Sequence, residues 1–280
     1  MAREQRRLLI APARLAAAAA AAASAASGGG RQEVIELCLS AAESRYLTRV
    51  LRYGPGDGFS VVDGAGRLWA AQLLAADRAR LVQPLAEPLQ HQPPPRPRLV
   101  LAAAVVKRDF EVVVRMAVEL GVDQLLPLLC ERTAVQGQLR PERWRSIAAE
   151  AAEQCERLWL PEIAEPCTLP AVLEQAREAN AASGAADGAA SLLLWATTRR
   201  ADRLSLVDAL SRQTRQPSQW PEAIWLACGP EGGWADGEET QARLAGWTAV
   251  DLGPRILRSS TACVAGLSAI SSWRGEVCGC

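Results

Sequence analysis

From residue 98 onward the chain alternates short apolar runs with stretches of helical period. Apolar runs occupy 99–106, 122–129, 192–197, 224–228 and 249–252. Amphipathic stretches at 110–120, 141–157, 201–210, 236–244 and 260–273 separate or follow them. Near-continuous apolar strands alternating with helices predict a parallel sheet covered on both faces. The first third is patterned differently. Apolar runs at 6–10, 33–39, 59–62 and 68–74 are short, a helical pattern covers 41–51, and turn sequences fall at 54–58 (GPGDG) and 63–66 (DGAG). Asp-Gly between apolar runs signals a hairpin, so this part predicts a small, barrel-like β domain. Pro88, Pro93, Pro94, Pro95 and Pro97 then form a stiff linker in which sheet or helix is not expected to continue. The expected domains are 1–87, a linker at 88–97, and 98–280. The alanine-rich 16–30 reads as a low-complexity surface insertion, and 179–190 as a loop without structure.

Composition narrows the chemistry. With 49% hydrophobic residues, 280 residues support a sizeable core, and the formal net charge of +0 argues against a polybasic coat. Lys107 is the single lysine among thirty arginines, and a compact point charge differs from a planar fork. The eight cysteines show no paired CxxC spacing, which suggests reduced core thiols, neither a disulfide framework nor a metal site. The sole histidine, His91, sits in the proline-rich stretch, which argues against histidine triads and metal chemistry. Arg3, Arg6 and Arg7 ahead of an apolar run imitate a secretory signal, but Pro12 and Arg14 interrupt it. No run of about 20 strongly apolar residues exists, so no membrane span is expected and the expected location is cytoplasmic.

In an open parallel sheet, ligands bind at the carboxyl ends of strands. Two such ends share one design: 224–228 runs into Gly229-Pro230-Glu231-Gly232-Gly233-Trp234, and 249–252 into Gly253-Pro254-Arg255-Ile256-Leu257-Arg258. Glycine admits close backbone approach and proline fixes the turn. Neither loop is a phosphate cradle, since GxxxxGK[ST] is missing and no GxGxxG follows a strand, which points away from ATP and NAD. Asp236 and Glu239 read as a capping box opening a helix, and Glu231 as a carboxylate shaping its turn.

GPEGGW followed by an acidic helix start and then LGPRILRSSTA resembles the paired motifs of the 16S ribosomal RNA (uracil-N3)-methyltransferases, a branch of the SPOUT superfamily. The similarity extends through Lys107-Arg108-Asp109, 115–122, Pro127, Glu131-Arg132, Arg143-Trp144, 151–157 and 161–163. It also includes 6–10 and 47–52 of the small domain, which in that family is PUA-like. The resemblance implies a trefoil-knotted chain, S-adenosyl-L-methionine as cofactor, no metal, and an active site built across a homodimer. It also implies a cofactor pocket from Leu194, Trp195 and Ala196; from Cys228, Gly229, Pro230, Glu231, Gly232 and Gly233; and from Leu252, Gly253, Ile256, Leu257, Arg258, Thr261 and Ala262. Three family side chains are replaced: a motif glutamate by Ser260, paired histidines by Arg45-Tyr46, and a helix lysine by Arg115. Their roles are not carried over, and no general base is identified.

Removing the imide proton of uracil leaves an N3 anion, so Arg258 is the expected catalytic group, with Lys107 and Arg108 on the base or on phosphate. Glu119 is the best acidic candidate by position, balanced by an ion pair with Arg115 four residues earlier. Residues 1–58 and 96–115 each carry three more bases than acids, giving Arg6, Arg7, Arg49, Arg52 and Arg115 as expected RNA contacts. The expected partner is 16S ribosomal RNA in the small subunit, with no membrane. The residues leave open a SPOUT enzyme for another RNA, or a non-catalytic RNA-binding assembly protein.

Overall fold

A computed structural model describes residues 6–26, 35–134, 139–182, 191–198, 203–213 and 220–278. Arg3, Cys280 and parts of the tracts at 16–30, 179–190 and 201–210 lie outside them.

The chain divides into two compact units, and the division is discontinuous: Met1–Pro94 with Ala152–Leu160, and Pro95–Ala151 with Pro161–Cys280. The first unit carries β1 (Arg7–Leu9), α1 (Pro12–Ala26), β2 (Glu36–Cys38) and α2 (Ala41–Arg45), which widens into a π-turn over Tyr46–Val50. β3 (Gly58–Val62), β4 (Arg67–Ala75), β5 (Arg78–Leu81) and β6 (Gln90–His91) complete it. The sheet order is β1-β3-β4-β5-β2, with β6 against β4. β3 and β4 pair antiparallel across the Asp63–Gly66 turn, where Asp63 Oδ1 accepts the N–H groups of Ala65 (2.7 Å) and Arg67 (3.0 Å). Trp69, Phe59, Ile10, Leu15 and Leu47 fill the core.

Two expectations change here. Residues 12–26 form a helix packed on the core, where 16–30 reads as a low-complexity surface insertion. Alanine is the best helix former, and Leu15, Ala18, Ala19 and Ala22 recur on one face against the core. The proline stretch also contributes β6, because Gln90 and His91 precede the consecutive prolines and pair with Leu68 and Arg67. Residues 152–160 belong to this unit and bond to it at several points. Glu153 Oε1 accepts the Leu9 N–H (2.7 Å), Arg7 pairs with Glu156 (2.9 Å), Leu160 N–H donates to Gly64 O (2.9 Å), and Trp159 Nε1 donates to Gln92 O (3.1 Å).

The second unit contains β7 (Arg98–Ala104), α3 (Phe110–Glu119), β8 (Gln124–Leu129), α4 (Pro141–Gln154), β9 (Glu162–Ile163), β10 (Cys167–Thr168), α5 (Leu169–Ala182), β11 (Leu192–Ala196), β12 (Leu204–Ser205), α6 (Leu206–Ser211), β13 (Ala223–Cys228), α7 (Asp236–Leu244), β14 (Thr248–Asp251) and α8 (Ser259–Cys278). Every pairing in its sheet is parallel, in the order β10-β8-β7-β13-β11-β14-β12 with β9 on β8. All six residues of β13 are buried, as strands covered on both faces require. Val100, Leu126, Trp195, Trp225 and Trp247 form the core on one face, and α8 packs on β7, β13 and α3.

α5 was not expected, and it occupies the first part of the tract read as a loop. Leu169, Val172 and Ala176 recur at helical spacing and are buried. α6 starts later than the pattern suggests, because Ser205 Oγ accepts the Asp208 N–H (3.0 Å) and sets the cap.

Candidate active site

β13, β11 and β14 lie side by side and point the same way. Ala196 is in register with Cys228 on one side and Val250 on the other, so three chain segments leave the sheet at one level. Between them lies a pocket of 340 Å³.

Its floor is the turn after β13. Gly229 permits the turn to fold back on itself: a Cβ there would sit 2.8 Å from the Trp234 ring. That ring donates from Nε1 to Ala196 O (2.9 Å), fastening the turn to the end of β11, and packs edge-on to Trp195 at 5.9 Å. Gly233 N–H closes the turn on Pro230 O (2.9 Å), and Ser259 Oγ at the start of α8 donates to Gly229 O (2.7 Å). The acid that caps α7 is Glu238, correcting the reading of Asp236 and Glu239. Ala235 is the N-cap, which makes Glu238 the third helical residue, and its Oε2 accepts the Ala235 N–H (2.9 Å).

The opposite wall follows β14. Gly253 holds φ +124, a region L-residues rarely adopt, and its N–H donates to Asp251 Oδ1 (3.1 Å). Asp251 also pairs with Arg203 (3.2 Å). Arg255 and Arg258 are exposed and Ile256 is 80% exposed, although all three line the pocket.

Charge in the pocket comes from Glu231, Glu239, Arg255 and Arg258, and hydroxyls from Thr197, Thr198 and Ser259. Cys228 contributes no thiolate, because its hydrogen bond with Cys263 and its burial both push the thiol well above its usual range. It is an apolar wall, not a nucleophile. No cluster of three or more metal-ligating side chains occurs among the described residues.

Of the expected cofactor set, Ala196, Cys228, Gly229, Pro230, Glu231, Gly233, Leu252, Ile256, Leu257, Arg258 and Ala262 line the pocket. Leu194, Trp195, Gly232, Gly253 and Thr261 do not. Leu194 and Trp195 are buried strand residues, and Gly232 faces Arg132. Thr197, Thr198, Trp234 and Glu239 line it without having been expected, and Arg255 and Ser259, which fall within the expected stretch from Leu252 to Ala262, line it too. The one cue for Trp234 was its place directly after the turn, since its role depends on a bond to a strand 38 residues away.

Lys107 and Arg108 are exposed on the loop after β7, the strand beside β13, outside the pocket lining. The following residue, Asp109, holds φ 67 at the start of α3. Arg115 pairs with Glu119 at 3.9 Å on the exposed surface of α3, the ion-pair reading of Glu119. In the first unit Arg6, Arg49 and Arg52 are exposed, whereas the Arg7 side chain is only 16% exposed and engaged by Glu156.

Residues 92–271 match the family described as RNA methyltransferase domain, and residues 39–82 the one described as RNA methyltransferase PUA domain. The ribosomal RNA small subunit methyltransferase E of Synechocystis sp. is 39% identical over 247 residues, 86% of this chain and 75% of that protein. Its counterpart in Mycobacterium tuberculosis is 32% identical over 254 residues, 85% of this chain and 88% of that protein. The crystal structure of a ribosomal RNA small subunit methyltransferase E from Neisseria gonorrhoeae bound to S-adenosyl methionine is 26% identical. It superposes with a TM-score of 0.68 over 96% of this chain and 98% of that one. With a matching RNA methyltransferase domain over most of its length, a PUA domain before it, and these relatives, the chain belongs to the ribosomal RNA small subunit methyltransferase E family.

Proposed function

We propose that this chain transfers a methyl group from S-adenosyl-L-methionine to N3 of a uridine in 16S ribosomal RNA. The observation that carries the reading is the pocket between the ends of β11, β13 and β14, in a chain related over nearly its whole length to a structure holding that cofactor. The residues present fit the cofactor. Leu252, Ile256, Leu257 and Ala262 supply an apolar slot for a flat base, while Thr197, Thr198, Glu231 and Glu239 supply partners for a ribose and a charged amino-acid end. A Cβ at Gly229 would drive into Trp234, so the floor is built from bare backbone.

S-adenosyl-L-methionine supplies an electrophilic methyl group and a neutral sulfide as leaving group. The protein's part is positioning and electrostatics. Arg258, on the pocket wall, orients the uracil and stabilises negative charge at N3, a role that an always-charged guanidinium fills. Lys107 and Arg108, at the same sheet edge, hold phosphate or the base. Arg6, Arg49 and Arg52 supply phosphate contacts in the first unit, and Arg115 in the second.

A homodimer belongs to this reading, supported by the exposure of Ile256 and Arg258 in a single copy. So does the knot, supported by β13 standing between β7 and β11, which precede it in sequence. A cytoplasmic location is part of it too, in keeping with a ribosomal substrate. Among the described residues no helix is long and apolar enough to cross a membrane.

Calorimetry with S-adenosyl-L-methionine tests the pocket: saturable binding is expected, and its absence favours a non-catalytic RNA-binding protein. Methylation assays on 16S and transfer RNA test the substrate. Transfer to the latter alone overturns the 16S assignment.

A further inference from the structure

The floor of the pocket is held from behind as well as from the front. On the side where Gly232 faces Arg132, that arginine donates from Nη1 to Trp234 O at 2.8 Å, with Gly232 O at 3.5 Å. The neighbouring Glu131 N–H donates to Glu238 Oε1 at 2.9 Å, while Glu238 Oε2 takes the Ala235 N–H at 2.9 Å. Glu238 is only 8% exposed, and a buried carboxylate is costly unless its oxygens are bonded. Two backbone donors and the amino end of α7 meet that need. Its charge, after burial itself, helps push the adjacent Cys130 thiol up to about 12, so Cys130 stays protonated.

Trp234 is therefore fixed at three points: its indole on Ala196, its carbonyl on Arg132, and the residue after it on Glu238. Neither Arg132 nor Glu238 lines the pocket. We propose that both are positioning residues: they set the backbone of the turn so that the Trp234 indole reaches Ala196 and closes the pocket floor. The proposal rests on the cofactor reading above. A pocket assembled only part of the time binds more weakly in proportion to that fraction, without changing the chemistry once filled.

The test is a cycle of Arg132→Ala, Arg132→Lys, Trp234→Phe and the double variant of Arg132→Ala with Trp234→Phe. Calorimetry with S-adenosyl-L-methionine, methyl-transfer kinetics and amide hydrogen exchange are the readouts. Arg132→Ala is expected to weaken cofactor binding about tenfold, in line with losing a charged hydrogen bond. It should raise KM for the cofactor equally and leave kcat at saturation within about twofold, with Arg132→Lys recovering part of the loss. Because both side chains act on one turn, the double variant should lose less than the product of the single losses. In the cofactor-free protein, Arg132→Ala and Glu238→Gln should speed exchange of the amides of 231–234 while those of β13 keep their protection. Unchanged affinity, multiplicative losses or unchanged exchange at the turn overturns the proposal. If the unmodified protein fails to bind S-adenosyl-L-methionine, the cofactor reading falls, and the exchange data still decide whether the brace exists.

Discussion

Two glycine-proline turns leave the same sheet edge, and they are built in opposite ways. The turn after β13 is tied to β11 by Trp234, to α8 by Ser259, and to the loop after β8 by Arg132 and Glu238. The segment after β14 has its anchor at its root, where Gly253 bonds to Asp251, and presents Arg255, Ile256 and Arg258 to solvent. One wall is preformed; the other leaves side chains uncovered for a cofactor, an RNA base or a second copy to cover. On the proposed reading the first turn sets the pocket floor, while the second segment supplies both the apolar slot and the Arg258 guanidinium.

Gly229→Val should break the first wall outright. Its Cβ alone would meet the Trp234 ring at 2.8 Å, so cofactor binding should be lost in calorimetry. Thermal stability should fall by about 1–3 kcal/mol, as for overpacked sites. Arg258→Ala should do the opposite: melting temperature and cofactor Kd hold, while methyl transfer drops by about 100-fold or more, the scale of a lost transition-state charge partner. Near-normal turnover in that variant would remove Arg258 from the chemistry.

Ile256→Ala sharpens the contrast further. With the side chain 80% exposed, folding stability should stay within about 0.5 kcal/mol, while cofactor affinity falls several-fold. An unchanged affinity would mean nothing covers this side chain. The smallest effect is expected away from both turns, at Glu43. Burial raises that carboxyl, but the Arg14 guanidinium and the Ser40 N–H outweigh it and hold the group below its ordinary value. A depressed carboxyl stabilises the fold above its unfolded value of about 4.3, and the contribution fades as pH falls through the folded value. Melting curves of Glu43→Gln should therefore differ slightly from the unmodified protein at neutral pH and converge below about pH 4.

Much of the second unit was legible because its buried strands are continuous apolar runs. β7 and β13 show it, and the glycine turns at the ends of β13 and β14 marked the pocket. The missed elements share a physical cause. α1 lacks hydrophobic contrast, since an alanine facing the core and one facing water are the same letter, and only the packing of Leu15, Ala18, Ala19 and Ala22 separates them. Residues 152–160 continue the helical pattern of α4, and nothing in that period says that Glu153 and Glu156 bond to the first unit's β1. Trp234 and Arg132 matter through bonds that cross 38 and 102 positions of sequence, which no local pattern encodes. By contrast, Glu238 was one residue from the expected cap, an error of boundary alone.

The central claim meets its most direct test in mass mapping of 16S ribosomal RNA incubated with this protein and S-adenosyl-L-methionine, beside the Arg258→Ala variant. The account predicts a single N3-methylated uridine that disappears with the variant. A methyl group on another atom or another RNA, or equal methylation by both proteins, would contradict it.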